Sequence, residues 1–250
     1  MPVRRRKRLS GTISSWKDLS ALIEKLAHQR TNWIFRGEPS DTYELRPASG
    51  RQGDTAGTVR ILKYDVERER QALRRFMYDA QPYVGFAPRS ELEWLAIAQH
   101  HGMATRLLDW TESLMVAAFF AVERAGNKGH ALIYGMSGLP VLDPDDAPDP
   151  FSIEKVSIYR PRHLDARIAA QRSVFTVHPD PTAAFDSRSL HMWKISQDAC
   201  RDLKVVLDAC AVNYASVFPD LEGLARHIDW RYKWGRSQGF VRADDKGRNR

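Results

Sequence analysis

Gln99-His100-His101-Gly102-Met103-Ala104-Thr105-Arg106-Leu107-Leu108-Asp109-Trp110-Thr111 places two histidines, an arginine, an aspartate and two threonines between two apolar segments. So many polar side chains beside core elements require a hydrogen-bond network, because an unpaired buried polar group is costly. Just upstream, Ser90-Glu91-Leu92-Glu93 has the form of a capping box: the serine hydroxyl accepts the Glu93 amide and the Glu93 carboxylate reaches back to the Ser90 amide. A helix is predicted from there through Leu92, Leu95, Ala96 and Gln99 to His100-His101, with Gly102 supplying the positive φ that favours a helix end. Downstream, Thr111 or Ser113 can cap a second helix over 114–124, apolar nearly all round and therefore buried. Met103 to Trp110 is predicted as a tight connection between the two helices. The network either fixes that turn, with Arg106 paired to Asp109 and Thr111 capping, or lines a pocket.

Outward from this centre, helices and short strands alternate without a regular βαβ rhythm. Ser15 can cap a helix whose Leu19, Leu22, Ile23, Leu26 and Ala27 share a face, and a strand is predicted at 33–36, ending on Gly37. A charged amphipathic helix is predicted over 59–79, a strand over 130–134, and a surface loop, read as an insertion or lid, over 138–150. Further strands are predicted near 156–159, 174–177 and 190–195, with helices near 163–170, 198–208 and 219–232. There is no internal repeat. The fold class predicted is a single α+β domain over 11–240, its short mixed or antiparallel strands interspersed with helices, between a basic tail at 1–10 and a charged tail at 241–250.

Composition narrows the function. The net charge of +7 lies in the tails, whose nine basic and two acidic residues leave 29 of each sign in 9–241, so the basic pI does not mark a basic binding face. The longest apolar run, 114–122, is far short of the ~20 residues that span a bilayer. With no secretory signal and two cysteines outside any Cys-x-x-Cys pattern, Cys200 and Cys210 are expected as buried free thiols in a cytoplasmic protein. P-loop, dinucleotide-fingerprint, His-Glu-x-x-His, Gly-x-Ser-x-Gly and kinase motifs are all missing.

What remains is chemistry around Arg36. An arginine following Trp33-Ile34-Phe35 is carried toward the core, where it needs an anionic ligand or a carboxylate partner. Phe35-Arg36-Gly37, followed by Gln99-His100-His101-Gly102, Thr105-Arg106-Leu107-Leu108-Asp109-Trp110-Thr111 and Ala117-Ala118-Phe119-Phe120-Ala121, resembles the FRG domain family, named for its Phe-Arg-Gly motif. The order of motifs is also similar, more distantly, to mono-ADP-ribosyltransferases. That similarity implies NAD as cofactor and an ADP-ribosyltransferase-like fold, with a bacterial toxin or phage-defence role. It implies Arg36 on an NAD phosphate or ribose, Gly37 bonding the nicotinamide amide through its backbone, and Thr111 orienting the site. Where transferases carry a catalytic glutamate this chain has Gln171, which brings no charge. Glu38 or Asp109 would then supply the carboxylate, or His100 and His101 part of its role, or the protein binds a nucleotide without transferring anything, with Thr105 and Arg106 completing a pocket for a small anionic or nucleotide ligand.

Two other function classes compete. A nucleic-acid binder or metal-dependent nuclease would use His100, His101 and Asp109 on a cation and Arg160, Arg162, His163, Arg167 and Arg172 on phosphates, aided by the basic tails. Adjacent helical histidines point about 100° apart, however, and seldom share a metal. A non-enzymatic interaction module would use tryptophans such as Trp193, Trp230 and Trp234 at an interface.

Overall fold

The computed structural model describes residues 9–51, 63–125, 130–143, 146, 148–162 and 166–233. The chain begins with β1 (Leu9–Ile13), α1 (Trp16–Ala27), β2 (Ile34–Glu38), α2 (Val66–Asp79), α3 (Glu91–His100) and β3 (Leu107–Thr111). It continues through α4 (Leu114–Glu123), β4 (Ala131–Met136), β5 (Ser157–Tyr159), α5 (Ala166–Ala170), β6 (Ser173–Val177) and β7 (His191–Ile195). Three helices close it: α6 (Gln197–Ala209), α7 (Tyr214–Val217) and α8 (Leu221–Lys233). The strands form one mixed sheet in the order β1-β7-β4-β2-β3-β6-β5, in which β1 pairs parallel with β7 and the other neighbours are antiparallel. This is the α+β class the sequence predicts.

Side-chain alternation decides what each sheet face does. On one face Ile13, Phe35, Ile133, Trp193 and Ile195 pack under α1, α4 and α6, while Leu107, Tyr159, Phe175 and Val177 pack separately under α2 and α3. The opposite face carries Ile34, Leu108, Trp110, Leu132, Tyr134 and Val174, covered by Leu45 and Phe185 from loops. The helical cover therefore comes as two apolar clusters, and the boundary between them falls over β2 and β3. These strands share one registered pair, Phe35 with Thr111, whereas β2 pairs with β4 from Ile34 to Glu38.

Several sequence expectations change here. The stretch Met103 to Trp110 is no mere connection: Leu107–Thr111 is a central strand, paired with β6 from Leu107↔Val177 to Thr111↔Ser173. Leu9 and Ser10, assigned to a flexible tail, belong to β1. Ser90 caps α3 through the Glu93 amide at 3.2 Å, but Glu93 accepts from the Arg89 amide at 2.6 Å and from Arg162 instead of closing the box on Ser90. Ser113, not Thr111, caps α4. Cys200 is buried as expected, while Cys210 is exposed at the end of α6. Gly102 has φ +87°, the left-handed conformation its place after α3 calls for. The tails at 1–8 and 234–250, with Trp234, and His163 lie outside the described residues, as does 59–62 of the charged helix.

On the loop-covered face, Trp110 Nε1 donates to Thr176 Oγ1 at 2.9 Å, and that hydroxyl lies 2.9 Å from His178 Nε2. Burial, with the Arg106 charge adding to it, lowers the His178 pKa to about 4. The ring is thus neutral in the fold and takes up a proton near pH 6.5 once unfolded. Its stabilising contribution is complete above pH 6.5 and is lost as pH falls through 4. A His178→Gln variant should show a melting temperature that declines less steeply than wild type between pH 7 and pH 4; parallel profiles would contradict this assignment.

Candidate functional site

Where the two apolar clusters part, a cavity of about 320 Å³ opens. Its floor is β2 and β3, contributing Phe35, Arg36, Gly37, Asp109 and Thr111; Gln99 and His100 of α3 form one wall. Phe120 of α4 and Phe218, which follows α7, supply apolar surface, and Arg167, Gln171 and Ser173 close the far side. Arg36 and Thr111 therefore face one space.

Glycine at position 37 has a packing reason. A Cβ there would lie 1.9 Å from the Ala117 carbonyl oxygen and 2.5 Å from the Ala121 amide nitrogen, so α4 rests directly on the β2 backbone. This contact accounts for Gly37 without any ligand touching its backbone, unlike the nicotinamide contact expected from the resemblance.

Arg36 bridges the gap between the strands. Its Nε donates to Glu38 Oε1 at 2.6 Å and its Nη1 to the Asp109 carbonyl at 2.8 Å, a backbone acceptor in the stretch where β2 and β3 no longer pair. The Nη1 also stands 3.7 Å from Asp109 Oδ2. Glu38 is buried and committed to Arg36, and it does not line the cavity. Arg36 Nη2 forms no hydrogen bond with a described residue.

Asp109 is the carboxylate that remains accessible, its side chain 57 % exposed. Gln99 Nε2 donates to its Oδ2 at 3.0 Å, and Thr105 Oγ1 donates to Gln99 Oε1 at 2.6 Å, which fixes the amide's orientation. Thr105 is fully buried and does not line the cavity; its hydroxyl holds the Gln99 amide and accepts the Leu107 amide at 3.1 Å. Thr111 Oγ1 donates to the Gln171 carbonyl at 2.6 Å and accepts the Ser113 amide at 3.0 Å, so it ties β3 to the end of α5 and to the start of α4. The Gln171 side chain donates to the Val217 carbonyl at 3.1 Å and holds α7 against the site.

Two expected residues stand elsewhere. Arg106 is fully buried away from the cavity and pairs with Glu69 of α2 at 2.9 Å, not with Asp109; it also donates to Tyr64 and to the Pro150 carbonyl and stacks on Phe151. The charge that looked available for a ligand serves to anchor α2 and the end of the 138–150 loop. His101 is exposed at the end of α3, edge-on to His100 at 5.1 Å, and does not line the cavity.

Arg167, Ser173, Phe120 and Phe218 are walls that local reading assigns no such role. The Gln99 position had a usable signal: it follows seven buried residues from Leu92 to Ala98, so its amide is carried inward on an apolar helix. The basic segment read as phosphate-binding is paired internally, Arg160 and Arg172 with Glu112, Arg162 with Glu93, and Arg167 with Asp220. Among the described residues no group of three or more His, Cys, Asp and Glu side chains comes together as a metal site. Trp193 and Trp230 are both buried. No helix among the described residues is long and apolar enough to cross a membrane.

Comparison with known families finds that residues 31–129 match the FRG domain. No curated protein and no solved structure matches the chain. The matching segment includes Arg36, Gly37, Gln99, His100, Asp109 and Thr111, whereas Arg167, Gln171, Ser173 and Phe218 lie beyond it. The cavity is built from the FRG segment closed by later chain.

Proposed function

We propose that this FRG-domain cavity binds the nicotinamide-ribose end of NAD and that Asp109 is the carboxylate serving ADP-ribosyl transfer. The observation that carries the reading is an accessible carboxylate, oriented by Gln99 and Arg36, in a cavity with aromatic and cationic walls. The sequence offers Glu38 as the catalytic carboxylate with Asp109 as the other candidate; Glu38 is engaged by Arg36 and lies outside the cavity lining, which favours Asp109. A volume of about 320 Å³ is at the small end of ligand pockets and suits one nucleoside half of a dinucleotide, with the remainder outside.

Breaking the C1′–N bond sends the bond pair to nicotinamide, which leaves as a neutral base, and puts positive charge on the ribose. A fixed carboxylate favours that charge and accepts a hydrogen bond from a ribose hydroxyl. Arg36, with Nη2 not engaged by a described residue, offers a donor to the ligand's anionic oxygens. Phe120 and Phe218 provide apolar surface for the leaving base. The acceptor atom then bonds to C1′ and yields its proton to water at the cavity mouth.

Nicotinamide release from NAD, followed by chromatography, tests this. Asp109→Asn should slow release by roughly 10²–10³-fold, the range for loss of a preorganised electrostatic group, while NAD affinity measured by calorimetry changes much less. Arg36→Ala should weaken affinity. Wild-type protein that binds NAD without turnover would reduce the site to a binding pocket, and absence of binding would end the NAD reading.

A further inference from the structure

A second cavity, of about 950 Å³, lies at the β1/β7 edge of the sheet. It is lined by Leu9 and Ser10 of β1, by Leu22, Lys25 and Leu26 of α1, by Gln29 and Trp33 beyond it, and by the 186–193 segment. Three rings gather there. His191 stacks on Trp193 with centroids 5.7 Å apart and planes 14° apart, and Trp33 meets His191 edge-on at 5.1 Å. Hydrogen bonds hold them: Trp33 Nε1 donates to Gln29 Oε1 at 3.0 Å, and His191 Nδ1 is 3.2 Å from Ser10 Oγ.

Lys25 and Arg188 stand among the lining residues, both exposed, and neither has an ion-pair or hydrogen-bond partner among the described residues. In this they differ from the arginines of 160–172, all matched by carboxylates. Asp186 is the single acidic side chain in the lining. The strand that enters the cavity, β1, directly follows Arg4-Arg5-Arg6-Lys7-Arg8 in the sequence.

From this juxtaposition we propose that the β1/β7 edge is a binding site for single-stranded nucleic acid, with bases on the Trp33 and His191 rings and phosphates on Lys25 and Arg188. Aromatic surfaces take bases of any sequence, and unpaired cations beside them take the backbone; a duplex, its bases already stacked, cannot use the rings. The volume exceeds what one nucleotide fills, which suits a polymer better than a mononucleotide. The site does not depend on what the Asp109 cavity binds. A third cavity of about 360 Å³ has Leu26, Gln29 and Trp33 in common with the first and Phe35 in common with the Asp109 site.

Fluorescence anisotropy of the full chain with labelled short single strands, the matching duplex and AMP is the test. Single strands should bind more tightly than duplex, with affinity falling steeply as salt rises. The double variant Lys25→Glu/Arg188→Glu, two exposed positions without partners among the described residues, should keep the wild-type melting temperature and lose about tenfold or more in affinity. His191→Ala should lower affinity for single strands by a similar factor and leave any duplex binding unchanged. The proposal is overturned if single strand and duplex bind equally, if the charge reversal has no effect, if a chain lacking residues 1–8 loses all binding while His191→Ala loses none, or if AMP competes as well as the strands do.

Discussion

Gly37→Ala should destabilise the protein by at least about 3 kcal/mol, enough to remove most of the stability of an ordinary domain. The added methyl would meet backbone atoms of α4, the Ala117 oxygen and the Ala121 nitrogen, and no rotamer can move it aside. Relief requires lifting α4 from β2, which opens the apolar cluster formed by Phe35, Ala117, Ala118, Phe119 and Ala121. Urea unfolding measures the loss, with Gly85→Ala as the control, because a Cβ at Gly85 meets nothing within 4 Å. A Gly37→Ala protein with a wild-type midpoint would show that α4 does not sit on this strand as described.

Arg106→Leu should cost about 3–5 kcal/mol, since it leaves the Glu69 carboxylate buried without its cation. Among the described residues Glu69 Oε1 has no hydrogen-bond partner even in the intact pair, so Tyr64, which donates to Oε2 at 2.9 Å, is the donor that remains there. Adding Glu69→Leu should recover a large part of the loss, because replacing both members of a buried pair by apolar groups removes the unpaired charge. If the single and double variants unfold at the same denaturant concentration, the pair is not the reason Arg106 is there. NAD binding by a folded Arg106 variant should be unchanged, which separates this residue from Arg36 and Asp109.

The contrast between these two arginines shows what sequence could and could not convey. Helices announced themselves through local signals: Ser15, Ser90 and Ser113 each cap a helix with an apolar stripe or core behind it. The strand Leu107–Thr111 gave no such signal. Leu107, Leu108 and Trp110 are buried on both sheet faces, so polar and apolar residues do not alternate cleanly, and the pairing that makes it a strand comes from residues 173–177. Arg36 and Arg106 look alike in their sequence neighbourhoods, and their roles are assigned by Glu38 two residues away in one case and by Glu69, 37 residues away, in the other. The residues that gather at the cavity from the Gln99–Thr111 stretch were legible because they are local; its closure by Arg167, Ser173 and Phe218 depends on chain that folds back over it.

The parallel pairing of β1 with β7 has a kinetic consequence. Ser10 Oγ accepts the Met192 amide across 182 positions of sequence, so the first described strand stays without its neighbour until nearly all of the sheet's chain has been made. Pairings of such separation carry a large loop-closure entropy before they return any contact, and they form late. Refolding should therefore proceed by early ordering of β4 with β2 and of β3 with β6, followed by a slow phase in which β1 docks. Trp33 and Trp193, which lie beside that edge, would report the phase by their fluorescence. A newly made chain would hold the floor of the Asp109 cavity, β2 and β3, before it holds the aromatic one, and would close the first only once Phe218 has been made.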